Sequence, residues 1–250
     1  MLISEILKAQ TVAEEQNCSY AVLTLAATSG TTSRTQGKML VFEDGQTVGT
    51  IGGGPGEHAA VQQAIPLIGK DETRLVELEH GFGRMTVLIE TFAAPPLIVL
   101  CGGGNVSRCL MQYAKLAGFR LWLLDPRPCE AIAEAVRLAD RYFPVEDYES
   151  ALDAMEIPEN AFYVSASFSH ATDENALRGI LKKKSAYVGM LGSQKKITQL
   201  FGNLRRQGYT EEQLSRIHTP IGLDVGGQTP EELAVGILAE ILMVKNGKIK

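Results

Sequence analysis

The sequence is poor in cysteine, and its few cysteines are not spaced for a shared site. The 250 residues include Cys18, Cys101, Cys109 and Cys129, with no Cys-x-x-Cys pair and no paired Cys/His spacing. This pattern fits a reducing cytoplasm better than a disulfide framework or a zinc site. We therefore expect four free thiols, no metal site, and a reducing, cytoplasmic location.

Long apolar runs and long runs of one charge are also lacking. No stretch approaches the roughly 20 apolar residues that cross a bilayer, and the N-terminal MLISEILKAQTVAEEQ lacks the basic start and apolar centre of a secretion signal. The net charge of −5 is spread along the chain, unlike the basic footprint of non-specific nucleic-acid binding. Neither a membrane nor a nucleic acid is an expected partner. No Ser-His-Asp order indicates a hydrolase.

The first part of the chain has the pattern of a small α+β domain. A helical pattern precedes the strand AVLTLA, and KMLVFEDGQTVGTIG is typical of a hairpin that turns at Asp44-Gly45. The strands TRLVELE and MTVLIETF follow a further helix. Ala94-Pro95-Pro96 then favours an extended connection, so we predict two domains, residues 1–93 and 94–250.

The second part alternates strands with helices. LIVLC is a continuous apolar run of the kind found in buried parallel strands, and FRLWLLD, FYVSA and AYVGML follow it with helical segments between them. This alternation predicts a doubly wound parallel sheet, so the fold class is α/β with a Rossmann-like C-terminal domain. The last helix is apolar around most of its circumference, which favours burial between elements or subunits, and we expect a homo-oligomer.

A glycine loop directly follows the first strand of this alternating part. Glycines let the backbone approach a pyrophosphate, and the free N–H groups at the helix start bind its charge. An aspartate ends the next strand, where it would accept hydrogen bonds from ribose hydroxyls, and a nearby arginine would meet a 2′-phosphate. A Rossmann-like domain that has lost its ligand is the alternative. The predicted nucleotide site comprises Gly102, Gly103, Gly104, Asn105, Asp125 and Arg127.

Three further segments lie at predicted strand ends or in a glycine-rich loop, where doubly wound folds bind ligands. SFSHATDENAL either brings a histidine to the site or only caps a helix, and the lysines of MLGSQKK either meet an anion or are ordinary surface residues. RIHTPIGLDVGGQTPEEL is too polar and glycine-rich for a strand, and is either an anion-binding loop or a tight crossover. The candidate residues from these segments are Ser167, His170, Gly192, Ser193, Lys195 and Asp224.

Four stretches together carry a resemblance to a known family. They are GKMLVFEDGQTVGTIGGGPGE, CGGGNVSRCLMQYAKLAGFRLWLLDPRP, AYVGMLGSQKK and RIHTPIGLDVGGQTPEELAVGILAEI. They resemble the XdhC/CoxI family, accessory proteins of xanthine dehydrogenase and related molybdenum hydroxylases, over both halves of the chain. The resemblance implies an N-terminal domain, a C-terminal Rossmann domain, and a chaperone that binds molybdenum cofactor (molybdopterin or its dinucleotide), supports its sulfuration with a sulfur donor, and delivers it to the apo-hydroxylase.

The resemblance also points to the first glycine loop of the chain. Its residues Gly52, Gly53, Gly54 and Glu57 are expected to line the facing edge of a cleft between the domains. The family commonly has a cysteine where this chain has Pro55, and a second family cysteine is absent from HGFGRM. A thiolate would be the natural ligand of a metal–dithiolene centre, so this loop is expected to supply shape, backbone donors and Glu57 instead.

Further departures leave other functions open. The family's Thr-His-Asp-His pattern is Ser167-Phe168-Ser169-His170 here, and Asn105 stands where histidine is frequent. The bound ligand is expected to be the pterin cofactor, NAD(P), or both. A dinucleotide-dependent oxidoreductase, similar to precorrin dehydrogenases at GGGNVS, and a nucleotide-sensing module without turnover are the alternatives.

Overall fold

The computed structural model describes residues 3–30, 34–80 and 83–249. The chain divides into two compact units, one up to residue 94 and one from residue 95 onward. The first has an antiparallel sheet and the second a parallel sheet, which confirms the predicted α/β fold with a smaller α+β part. None of the helices in the described ranges is both long and apolar enough to cross a bilayer.

The first unit is built on one five-stranded sheet. Its elements are α1 (Ile3–Gln16), β1 (Tyr20–Gly30), β2 (Lys38–Phe42), β3 (Thr47–Thr50), α2 (Gly54–Ala64), β4 (Thr73–His80) and β5 (Gly83–Phe92). The strand order is β3-β2-β1-β5-β4. Successive residues of a strand face opposite sides of the sheet. Leu23 therefore packs in the apolar cluster that includes Ala60 of α2, and its neighbour Val22 packs in a second apolar cluster that includes Ile6 of α1.

The second unit alternates strands and helices as predicted. Its elements are β6 (Leu97–Cys101), α3 (Asn105–Leu116), β7 (Arg120–Asp125), α4 (Ala133–Leu138), β8 (Arg141–Pro144), α5 (Tyr148–Ala154), β9 (Phe162–Ser165), α6 (His170–Leu181), β10 (Tyr187–Met190), α7 (Gln194–Arg206), α8 (Glu211–Ser215), β11 (Ile217–His218) and α9 (Pro230–Lys245). The parallel order is β11-β10-β9-β6-β7-β8. Strand order therefore reverses between β6 and β9, which is where doubly wound folds bind ligands.

Helices cover both faces of the parallel sheet. One apolar cluster joins the sheet to α3, α4 and α9, and the other joins it to α5, α6, α7 and α8. Every residue of β6, β9 and β10 is buried. Burial on both faces explains why these strands are continuous apolar runs in the sequence.

Several local predictions need correction. The prediction of no strand after Arg216 is wrong, because Ile217–His218 pairs with β10 as β11. Two residues suffice because the edge of β10 supplies the hydrogen bonds and Ile217 packs into the core. The helical segment predicted between FRLWLLD and FYVSA, near residues 129–138, is a 3-10 turn, Cys129–Ile132, followed by α4. Strand β8 and helices α5 and α8 were not predicted.

Candidate functional site

The loop Gly102–Gly104 lies at the point where the strand order reverses, which we call the switch point. Cys101 at the end of β6 pairs with Ser165 at the end of β9. Gly102 has a φ of 111°, and a Cβ there would lie 2.5 Å from the carbonyl oxygen of Ala166. Only glycine fits so close to the chain that leaves β9.

The N-terminus of α3 is open. Gly104 is its N-cap residue and provides no side-chain cap, and the first turn has no acidic residue. By contrast, Ser169, Ser193 and Thr229 accept hydrogen bonds from the first turns of α6, α7 and α9. The N–H groups and the positive end of the α3 dipole are therefore available to an anion.

Two side chains distinguish the first turn of α3. Ser107 is 1% exposed, and its Oγ has no hydrogen-bond partner among the described residues. A buried hydroxyl without a partner is rare in folded proteins and indicates a group that the protein alone does not satisfy. Asn105, the first residue of the helix, is exposed.

Asp125 is fully buried at the end of β7, and its carboxylate is held by Arg127 and Gly103. Oδ2 accepts from the Gly103 N–H at 2.7 Å and from Arg127 Nη2 at 2.6 Å, and Oδ1 accepts from Arg127 Nε and N at 2.9 Å each. Burial alone would raise the pKa of Asp125, but the hydrogen bonds from Arg127 and Gly103 outweigh it and hold the pKa below its ordinary value. The carboxylate is therefore ionised.

Arg127 has a second neighbour at this edge. Its guanidinium carbon lies 5.4 Å from the ring centroid of Phe168, and the Phe168 side chain is largely exposed. The guanidinium is thus held by the carboxylate and by an aromatic ring.

The loop after β9 is closed by the buried aspartate of the segment SFSHATDENAL. Asp173 is fully buried, accepts from Ser165 Oγ at 2.9 Å and from the Ser167 N–H at 3.0 Å, and forms an ion pair with Lys196. Ser169 caps α6 in a capping box with Thr172. His170 is exposed at the first position of that helix. Ser167 therefore lies at the switch point, while His170 faces solvent.

The lysines of MLGSQKK separate in the structure. Lys195 is exposed, whereas Lys196 turns inward to Asp173. Ser193 caps α7 and half-buried Gly192 precedes it. The two lysines at this helix start suggest an anionic ligand in the sequence. In the structure, the buried carboxylate of Asp173 stabilises the charge of Lys196 instead.

The glycine-rich segment before α9 is anchored by Glu240. Its carboxylate accepts from the Tyr187 hydroxyl at 2.5 Å and the Gly222 N–H at 2.8 Å, and contacts His218 Nδ1 at 3.1 Å. Asp224 is exposed and accepts from the Gly226 N–H. A lone acid within the apolar run AVGILAEILMV is the sequence signal for Glu240.

The first glycine loop encloses a carboxylate of its own chain. Glu57 Oε2 accepts from Thr50 Oγ1 at 2.5 Å and from the N–H groups of Ile51, Gly53 and Gly52 at 2.9, 3.0 and 3.3 Å. Burial alone would raise the pKa of Glu57, but these hydrogen bonds lower it below its ordinary value. Three backbone donors of the loop are therefore used within the chain rather than facing a ligand.

The structure thus brings part of the predicted site together. Around the switch point lie Gly102, Gly103, Gly104, Asn105, Asp125, Arg127 and Ser167. Lys195, His170 and Asp224 are exposed, and the residues of the first glycine loop belong to the first unit. Across the described ranges, no three His, Cys, Asp or Glu side chains are grouped as a metal site requires.

Family comparisons cover both units. A model of the XdhC Rossmann domain matches residues 98–241, which is more than half of the chain, and the XdhC and CoxI family model matches residues 13–79. The crystal structure of a xanthine dehydrogenase from Bacillus halodurans aligns with a TM-score of 0.53 at 18% identity, covering 98% of this chain and 97% of that one. That likeness shows the fold.

Three relatives are similar in sequence. The chain is 32% identical to the uncharacterized protein YqeB of Escherichia coli K12, covering 93% of this chain and 45% of YqeB. It is 24% identical to a probable xanthine dehydrogenase subunit of Bacillus subtilis 168, covering 68% and 49%. It is 23% identical to the molybdenum cofactor insertion chaperone PaoD of Escherichia coli K12, covering 90% and 83%. The chain spans about half the length of the first two relatives.

Proposed function

The chain belongs to the XdhC and CoxI family, and from that premise we propose that it is an accessory protein that binds molybdenum cofactor and delivers it to a hydroxylase of the xanthine dehydrogenase type. Two relatives support this proposal by their names. PaoD is a molybdenum cofactor insertion chaperone, and the Bacillus subtilis relative is a probable component of xanthine dehydrogenase. The cofactor is then cargo that the protein holds and releases.

The open N-terminus of α3 is the observation that carries the proposal. Molybdopterin ends in a phosphate, and its dinucleotide forms contain a pyrophosphate. Free N–H groups at a helix start bind such anions, and the helix dipole favours their charge. Gly104 leaves room for the phosphate because a Cβ at this position would have nothing within 4 Å.

The cysteine at the switch point, Cys101, favours a holding role over a thiol-transfer role, whereas Cys129 is exposed. Cys101 is fully buried, and burial together with the nearby Asp173 and Asp125 raises the pKa of its thiol far above the ordinary value. The thiolate, which is the nucleophile and metal ligand, is therefore disfavoured there. The first glycine loop has Pro55 at the family's cysteine position. We propose that a separate donor protein supplies sulfur.

The cargo that co-purifies with the protein tests this function. Purified from a host that makes molybdenum cofactor, the protein is expected to release a pterin, identified by fluorescence after oxidation and by mass spectrometry. The pterin-loaded protein is expected to activate an apo-xanthine dehydrogenase. The same protein from a host blocked in pterin synthesis is the control and should do neither.

The alternative oxidoreductase function predicts a different result. Recovery of NAD without pterin, turnover of a substrate with NAD, and no activation of the apo-hydroxylase would contradict the proposed function. Recovery of pterin with activation would exclude a purely nucleotide-sensing role.

A further inference from the structure

The acceptor capacity of Asp125 is fully used within the protein. An ionised carboxylate has about four lone-pair positions, and Asp125 accepts four hydrogen bonds from Gly103 and Arg127. Two of these come from backbone N–H groups and two from the guanidinium. Only the guanidinium bonds can be replaced without rebuilding the loop.

Arg127 is the exposed member of its pair with Asp125. The Asp125 side chain is 0% exposed, whereas the Arg127 side chain is 27% exposed. The guanidinium bonds both carboxylate oxygens, and none of the carboxylate is exposed to solvent. In doubly wound folds, an acid at this strand end accepts hydrogen bonds from ribose hydroxyls. A ribose diol needs the same two acceptor positions that Arg127 occupies.

The geometry also makes the guanidinium hard to displace. A bidentate Arg–carboxylate pair is among the strong hydrogen-bonded contacts in proteins, and the Phe168 ring packs against the same guanidinium. Neutral ribose hydroxyls offer the carboxylate two hydrogen bonds but no compensating charge. The closed pair is therefore favoured over a bound diol.

We propose that Arg127 is a specificity-determining residue that occupies the ribose-binding face of Asp125 and excludes ligands that place a 2′,3′-diol there. This inference rests on the proposed phosphate site at α3. The site then takes phosphorylated ligands without a ribose diol at this position, such as a pterin phosphate, in preference to adenine dinucleotides.

A matched pair of nucleotides tests this role. ADP and 2′,3′-dideoxy-ADP carry the same phosphates and differ in the diol. Calorimetric titration of the wild-type protein is expected to give affinities equal within about twofold, because Asp125 is not available to the diol. Arg127→Ala is expected to bind ADP about tenfold more tightly than dideoxy-ADP, which corresponds to about 1.4 kcal/mol. Adding Asp125→Asn to Arg127→Ala should reduce that preference.

A second variant covers the possibility that Arg127→Ala does not fold. Arg127→Lys keeps a cation beside Asp125 but lacks the two-pronged geometry, so it should show a smaller ADP preference in the same direction. Circular dichroism establishes that each variant is folded.

Two results would overturn the inference. One is a wild-type protein that already prefers ADP about tenfold, and the other is folded Arg127 variants with no ADP preference or no ADP binding. Failure of the proposed function is distinguishable, because it appears as wild-type protein that carries no pterin when it is purified from a host that makes molybdenum cofactor. An ADP preference gained in Arg127→Ala would support the role of Arg127 even then.

Discussion

Glu57 determines the structure of the first glycine loop. Its Oε2 gathers one hydroxyl and three backbone N–H groups, so the loop is folded around an internal anion. Glycine is suited to this role because Gly52 and Gly53 have φ values of 153° and 77°. This loop resembles a phosphate-binding loop in sequence because binding a carboxylate and binding a phosphate require the same backbone.

Glu57→Gln is expected to lower the free energy of unfolding by about 1–2 kcal/mol at pH 7, because hydrogen bonds to a charged carboxylate are stronger than those to an amide oxygen. The loss is no larger because Glu57 is partly exposed, and solvent weakens the hydrogen bonds of its carboxylate. Because the folded-state pKa of Glu57 is lowered, its charge stabilises the fold fully above the ordinary value of 4.5. That contribution is lost as the pH falls through the lowered pKa.

Urea unfolding followed by far-UV circular dichroism measures this effect, because the only tryptophan, Trp122, lies in the second unit. The difference between wild type and Glu57→Gln should shrink as the pH falls below 4.5. A difference that stays constant with pH would contradict the assigned role.

At the scale of elements, the segment formed by β6, its glycine loop and α3 has two glycines with opposite requirements. Gly102→Ala places a Cβ 2.5 Å from the Ala166 carbonyl at a φ of 111°, and we expect a loss of about 2–3 kcal/mol in unfolding free energy. Gly104→Ala meets no atom within 4 Å at a φ of −74° and should change it by less than about 1 kcal/mol. Trp122 fluorescence in urea reports both. Equal losses would show that close approach to Ala166 is not the reason for glycine.

The elements that could be predicted from the sequence are those whose signals are local. The apolar run LIVLC, the glycines after it and the capping box at Thr229 each identify an element within a few residues. Strand β8 has no fully buried residue and exists through its pairing with β7, so its own sequence carries little signal. Strand β11 depends in the same way on β10.

The ion pairs of the site depend on contacts that the sequence does not encode locally. Lys196 meets Asp173 because β9 and β10 are neighbours in the sheet. Its spacing of four and eight residues from Leu200 and Leu204 already places it on the buried face of α7, but its partner lies on a different element. Arg127 is only two residues from Asp125, but this spacing does not determine whether the arginine side chain bonds the carboxylate or faces a ligand. The structure shows that it bonds the carboxylate.

For the whole molecule, we propose that the cofactor binds to the second unit. Its parallel sheet supplies the switch point, and its first helix supplies an uncapped N-terminus there. The glycine loop of the first unit contains no cysteine. Its backbone N–H groups at Ile51, Gly52 and Gly53 donate to Glu57. Phosphate binding at α3 is therefore the central claim.

The most direct test compares the pterin content of Gly104→Asp and Gly104→Asn, each purified from a host that makes molybdenum cofactor. Both side chains fit the open space at Gly104 and cap α3, but only aspartate adds a negative charge where the phosphate would bind. We expect Gly104→Asp to retain at least about fivefold less pterin than Gly104→Asn, since like charges in contact repel by more than about 1 kcal/mol. Two folded variants that both retain the pterin content of the wild-type protein would contradict phosphate binding at this helix.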